Sequence, residues 1–172
     1  YKMLYNRREL KDVSKMTDKD YTPGGMTALL DAVGRTIHKM DMVAGIHRKD
    51  KGNKVLFVII TDGEENDSKE YTYADVKKLI KDRQENAGWE FIFLGANIDA
   101  AAAAENLGID RDRAVKYKNT GSGVRANFKA VAELSDSLAK SGRVSDRWKE
   151  TVEKDEDDAA DKQSAAVTLH RR

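Results

Sequence analysis

The chain has no cysteine, one proline in 172 residues, and aromatic residues at only 7%. Without thiols there are no disulfides, no thiolate zinc sites and no cysteine nucleophile. An excess of either charge is missing too: 31 Lys and Arg stand against 30 Asp and Glu, a net charge of +1. Such a balance creates no field to gather nucleic acid or an anionic membrane. The longest apolar run, Val55 to Ile60, falls far short of the ~20 residues that span a bilayer. No basic stretch followed by an apolar one opens the chain as a signal peptide would. Neither nucleic acid nor membrane is therefore an expected partner, and the expected compartment is the cytoplasm. The chain opens on Tyr1 rather than Met, in mid-pattern, so the expectation is a piece of something longer.

What is present is 40% hydrophobic and 35% charged residues, at a length that suits one domain. Tyr1, Met3 and Tyr5 alternate as one face of a short strand. Pro23-Gly24-Gly25 marks a loop, and Thr27 opens a helix carrying Leu30, Val33, Ile37 and Met40, with Gly45 as its stop. Residues 46–53 read as a basic surface loop. Residues 54–61 (KVLFVIIT) form a continuous β-branched and aliphatic run. Such a run is expected of a strand buried on both faces, at the middle of a parallel sheet.

After the Thr61-Asp62-Gly63 turn, Thr72 and Asp75 are spaced as a capping box for a helix bearing Val76, Leu79 and Ile80 and ending at Gly88. Trp89 to Leu94 is the next strand. Asp99 caps an alanine-rich helix that stops at Gly108, and residues 114–117 form a weak strand. A last helix carries Phe128, Val131, Leu134 and Leu138 on one stripe. From Ser145 the pattern decays, with Trp148 and Val152 isolated and acids crowded over residues 153–158. Residues 1–142 thus read as one α/β domain and 143–172 as a charged tail, flexible or helical. The alternation of strand and helix predicts a doubly wound, mainly parallel sheet flanked by helices, with function gathered where the strands end.

Thr27 behind two glycines and Asp62 after the most buried strand place a hydroxyl and a carboxylate at that edge. These are hard oxygen donors, suited to Mg²⁺ or Mn²⁺ and unsuited to zinc or copper. The plainer alternatives are a threonine N-cap and a common Asp-Gly turn. Other candidates are weaker. Asp62-Gly63-Glu64 lacks the second aspartate of an aspartate-nucleophile phosphohydrolase, and Glu64 and Glu65 read as a solvated loop. His38, His47 and His170 lack metal-ligand spacing, with His38 expected at the surface. Gly121-Ser122-Gly123 has no lysine at a phosphate-loop offset and reads as a flexible connector. Arg7-Arg8 and His47-Arg48-Lys49 read as solubilising patches, and Trp89 and Phe91 as core.

Three segments in order, Pro23–Ala32 (PGGMTALLDA), Phe57–Gly63 (FVIITDG) and Trp89–Asn97 (WEFIFLGAN), closely resemble the von Willebrand factor A domain family. The likeness is strongest to bacterial and phage-type members and covers roughly Tyr1 to Lys140. It implies a doubly wound α/β domain with a metal-ion-dependent adhesion site. It also implies that Thr27 and Asp62 match the family's threonine and its aspartate after the fourth strand. The family's Asp-x-Ser-x-Ser loop is not in the chain. Asp12-Val13-Ser14-Lys15-Met16 lacks the second serine and follows no buried strand. The resemblance therefore places Tyr1 near the family's third strand, with the domain incomplete at its N-terminus. A second polypeptide or a swapped segment is then expected to complete the sheet. The functional expectation is a non-enzymatic module that binds a protein partner through an acidic side chain at an Mg²⁺ or Mn²⁺ site, weak in this chain alone. The alternatives are a Mg²⁺-dependent phosphohydrolase or nucleotide-binding domain, and a structural scaffold with a degenerate site.

Overall fold

The computed structural model describes residues 1–15, 17, 19–20, 25–46 and 54–154. The architecture is α/β. Three parallel strands, β1 (Leu56–Thr61), β2 (Glu90–Gly95) and β3 (Ala114–Lys116), lie in the order β1-β2-β3. Helix α1 (Leu29–Ile46) precedes β1; α2 (Tyr73–Ala87) and α3 (Ala100–Asn106) join the strands, and α4 (Gly121–Ser141) follows β3. Two successive crossovers that step the same way across a parallel sheet put their helices on one face.

The side-chain alternation of the strands sorts the core into two layers. Phe57 and Ile59 of β1, with Phe91 and Phe93 of β2, face α1, α2 and α3, where Ile37, Val76, Ile80, Ala104 and Leu107 close the layer. Val58, Ile92, Leu94 and Val115 face the other way, against Ala130 and Leu134 of α4. The register stacks these sets in order: Phe57 beside Phe91, Val58 beside Ile92, Ile59 beside Phe93. The Phe57 and Phe91 rings lie 5.2 Å apart.

The helix signals work as the sequence indicates. Thr72 and Asp75 close a reciprocal capping box on α2, and Gly88 ends that helix at φ +63°. Asp99 accepts the Ala102 N–H to start α3. His38 is exposed, and Trp89 and Phe91 are core residues.

Four expectations are corrected. The run at 54–61 does not form the middle strand: β2 does, and β1 pairs with β2 alone among the described residues. Helical layers cover both faces of β1, so its apolar run reports cover above and below the sheet, not strands on either side. Ile60 is 44% exposed there. Residues 1–5 are not a strand. Tyr1 and Met3 instead lie on the outer side of α1, where the Tyr1 and Thr36 hydroxyls are 3.2 Å apart and the Lys39 ammonium meets Met3 Sδ.

The α4 stripe is also shifted. Gly123, Asn127, Ala130, Leu134 and Leu138 are buried, whereas Phe128 is 61% exposed. Small residues let the helix approach the sheet closely, and that outweighs the larger apolar side chain. The residues after 142 do not simply decay either. Val144, Trp148 and Val152 are buried in the second layer, with Trp148 carried by a 3-10 turn at Asp146–Lys149. The basic residues 47–53, His170 and the acidic run 155–158 lie outside the described residues.

Candidate functional site

Because all three strands are parallel, their carboxyl ends meet at one edge: Thr61 is level with Gly95, and Gly95 with Lys116. The chain crosses that edge in bonded steps. Thr61 O accepts the Ala96 N–H at 2.9 Å, and Gly95 O accepts the Tyr117 N–H at 3.0 Å. The buried Thr61 hydroxyl donates to Gly63 O at 2.9 Å, which turns the chain sharply just past Asp62.

Asp62 is exposed at this turn. Asn97, in a left-handed conformation at φ +59°, donates to the Asp62 carbonyl at 3.3 Å. Asn119 donates to Asp62 Oδ2 at 3.4 Å. The loops after all three strands therefore converge on Asp62. Short polar side chains tolerate the left-handed region, the one hint the sequence carries for Asn97.

Thr27 reaches the same edge from the opposite side of the loop. Its N–H donates to Asn66 Oδ1 at 2.7 Å, and its carbonyl accepts the Asn66 N–H at 3.0 Å. A Cβ built on Gly63 would lie 3.7 Å from the Thr27 hydroxyl oxygen. The two predicted site residues thus flank one glycine.

Glu65, read from the sequence as solvated, is the anchor of this loop. Its carboxylate accepts from Leu30 N at 2.9 Å, Asp67 N at 3.0 Å, and Ser68 N and Oγ at 2.8 Å each. It thereby binds an orphan N–H at the start of α1, the role an N-cap threonine at 27 would have had. Burial pushes its carboxyl up, and the donations from Leu30, Ser68 and Asp67 outweigh that, leaving it below the usual glutamate range. Asp31, one position past Leu30, accepts from Lys69 N at 3.0 Å, Glu70 N at 2.9 Å and Tyr71 N at 3.0 Å. These donations, led by Lys69, hold its carboxyl below the usual aspartate range. No sequence pattern flags their link to each other's element, because Asp31's partners are backbone groups 38 to 40 positions away and Glu65's contact with α1 spans 35 positions.

Beside the loop, a cavity of about 280 Å³ is lined by Leu29, Glu64, Tyr73, Phe93, Ile98 and Asn106, among others. Partial burial, then the charges of Glu65 and Glu64, raise the Tyr73 phenol above its ordinary value. Among the described residues no group of three or more His, Cys, Asp or Glu side chains is placed to hold a metal ion. No helix among them is long and apolar enough to cross a membrane. No protein-family model, curated protein or solved structure matches the chain.

Proposed function

We propose that the chain is a protein-interaction module of the von Willebrand factor A type, whose contact surface is the carboxyl edge around Asp62. The observation that carries this reading is the docking of Thr27 on Asn66, which sets its hydroxyl beside Gly63 next to the exposed Asp62. Hydroxyl and carboxylate are the donor kinds that Mg²⁺ or Mn²⁺ prefers, but they fill only two of about six oxygen positions. On this reading the chain alone holds such an ion weakly. The remaining oxygens would have to come from water, a partner's acidic side chain, or a segment paired with the free edge of β1.

The test is an NMR titration of the chain with a peptide bearing one Asp or Glu, with and without Mg²⁺. The expected result is weak Mg²⁺ binding by the chain alone. Peptide-dependent shifts should centre on the Thr27, Gly63 and Asn66 amides and vanish in Thr27→Ala and Asp62→Ala. Release of inorganic phosphate from a phosphoester by the wild-type chain, lost in Asp62→Ala, would overturn the reading in favour of a hydrolase. Binding untouched by either substitution would favour a scaffold with a dead site.

A further inference from the structure

The loop after β1 is fastened to α1 at two places, and one residue joins them. The Ser68 hydroxyl donates to Glu65 Oε2 at 2.8 Å and accepts the Asp31 N–H at 3.1 Å. Glu65 grips Leu30 N, the position before Asp31, while Asp31 grips the three amides that follow Ser68. Asp31 of α1 takes its donors from the loop, Glu65 of the loop reaches Leu30 of α1 as well as Asp67 and Ser68 of its own loop, and Ser68 is bonded to both acidic residues. Ser68 is thus bonded to both halves, and the next residue, Lys69, is held by Asp31.

We propose that Glu65, Ser68 and Asp31 form a single latch of positioning residues. The latch locks the β1–α2 loop onto the start of α1 and so keeps Thr27 and Asp62 assembled at the carboxyl edge before any partner arrives. Its purpose rests on the reading of that edge as the contact surface; the latch itself rests on the interlocked bonds alone. Two independent caps would each protect only their own donors. A single latch couples them, so loosening one end exposes the other in one local opening.

The experiment is residue-resolved amide hydrogen exchange on the whole chain at neutral pH without added metal. In Glu65→Gln one carboxylate oxygen becomes an amide NH₂ aimed at donors. Exchange should then rise about tenfold at Leu30, Asp67 and Ser68 and equally at Lys69, Glu70 and Tyr71, which Glu65 does not touch. Asp31→Asn should show the reciprocal spread to Leu30 and Asp67. Phe93 and Leu94 of β2 should change by less than about twofold, as expected of a sub-global opening. Ser68→Ala, which keeps both carboxylates, should reproduce the spread and decides the matter if either carboxylate variant fails to fold. Acceleration confined to each carboxylate's own donors overturns the proposal, and so does uniform acceleration that includes β2. Adding Mn²⁺ and the acidic peptide to the wild-type chain separates the two ideas. The coupled exchange pattern without any effect at Thr27 and Gly63 leaves the latch standing and removes the contact-surface reading.

Discussion

Replacing Gly34 with alanine sets two effects of known size against each other. Gly34 lies inside α1, where alanine is favoured over glycine by about 0.8–1.0 kcal/mol. A Cβ at this position, however, would lie 2.5, 2.6 and 2.7 Å from Cδ1, Cε1 and Cγ of Tyr71. Carbon atoms pack at about 3.5–4.0 Å, so the ring would have to retreat by roughly 1 Å. It has little freedom to do so. Its own amide is held by Asp31, and the His38 ring lies 5.9 Å away on the same side of α1. Overpacking of this kind costs about 1–3 kcal/mol, which exceeds the gain in propensity. Gly34→Ala should therefore destabilise by up to about 2 kcal/mol, a fall of up to about 8 °C in Tm for a domain of this size. In a Tyr71→Ala background the clash is gone, and the same substitution should stabilise by up to about 1 kcal/mol. Thermal unfolding of the four proteins in this double-mutant cycle reads both signs. A rise in Tm for Gly34→Ala in the wild-type background would refute the reasoning.

At the start of α4, a Cβ on Gly123 would run into the Lys118 carbonyl oxygen. Backbone yields less than a ring, so Gly123→Ala should cost at least about 2 kcal/mol in denaturant unfolding and shift the Asn119 resonances. Acid is the next perturbation. Asp31, Glu65, Glu70 and Asp75 all have folded-state carboxyls held below their ordinary values. The stability they contribute is complete above the unfolded range near pH ~4 and is lost as pH falls from there through their lowered folded-state values. A Tm that is level from neutral to about pH 5 and then drops is expected, with a shallower drop in Asp31→Asn; a Tm unchanged down to pH ~3 would contradict this. Finally, the outer edge of β1 has no paired strand among the described residues beside the exposed Ile60, and such edges associate. Light scattering should show concentration-dependent association that Ile60→Lys reduces, and a monomer at every concentration in both proteins would argue that the edge is protected.

Elements whose causes are local were legible in the sequence. Thr72 with Asp75, Asp99 before five alanines, and Gly88 each act within three to five residues, and each sits where its spacing places it. The apolar run of β1 was legible as a strand but not as an edge. Burial of its two faces comes from helices, and the pattern is the same whether or not a strand lies alongside. The α4 stripe failed because Asn127 and Gly123 are buried without being large and apolar; both Asn127 side-chain polar atoms are buried without a hydrogen-bond partner among the described residues. The site divided in the same way. The placement of Thr27 and Asp62 at the carboxyl edge follows from strand ends and glycine loops, whereas the reach of Glu65 to Leu30 and of Asp31 to the amides of 69–71 spans 35 to 40 positions and leaves no mark in composition or period.

The two tryptophans fall one to a layer: Trp89 packs on the side of α1 and α2, Trp148 on the side of α4. The chain thus carries a built-in fluorescent reporter above the sheet and another below it. Trp89→Phe leaves emission from the α4 side alone, and Trp148→Phe leaves emission from the α1 side alone. Coincident denaturation midpoints in the two variants would mean that the layers melt as one cooperative unit. Separated midpoints would mean that one helical layer can peel from the three strands while the other still holds them.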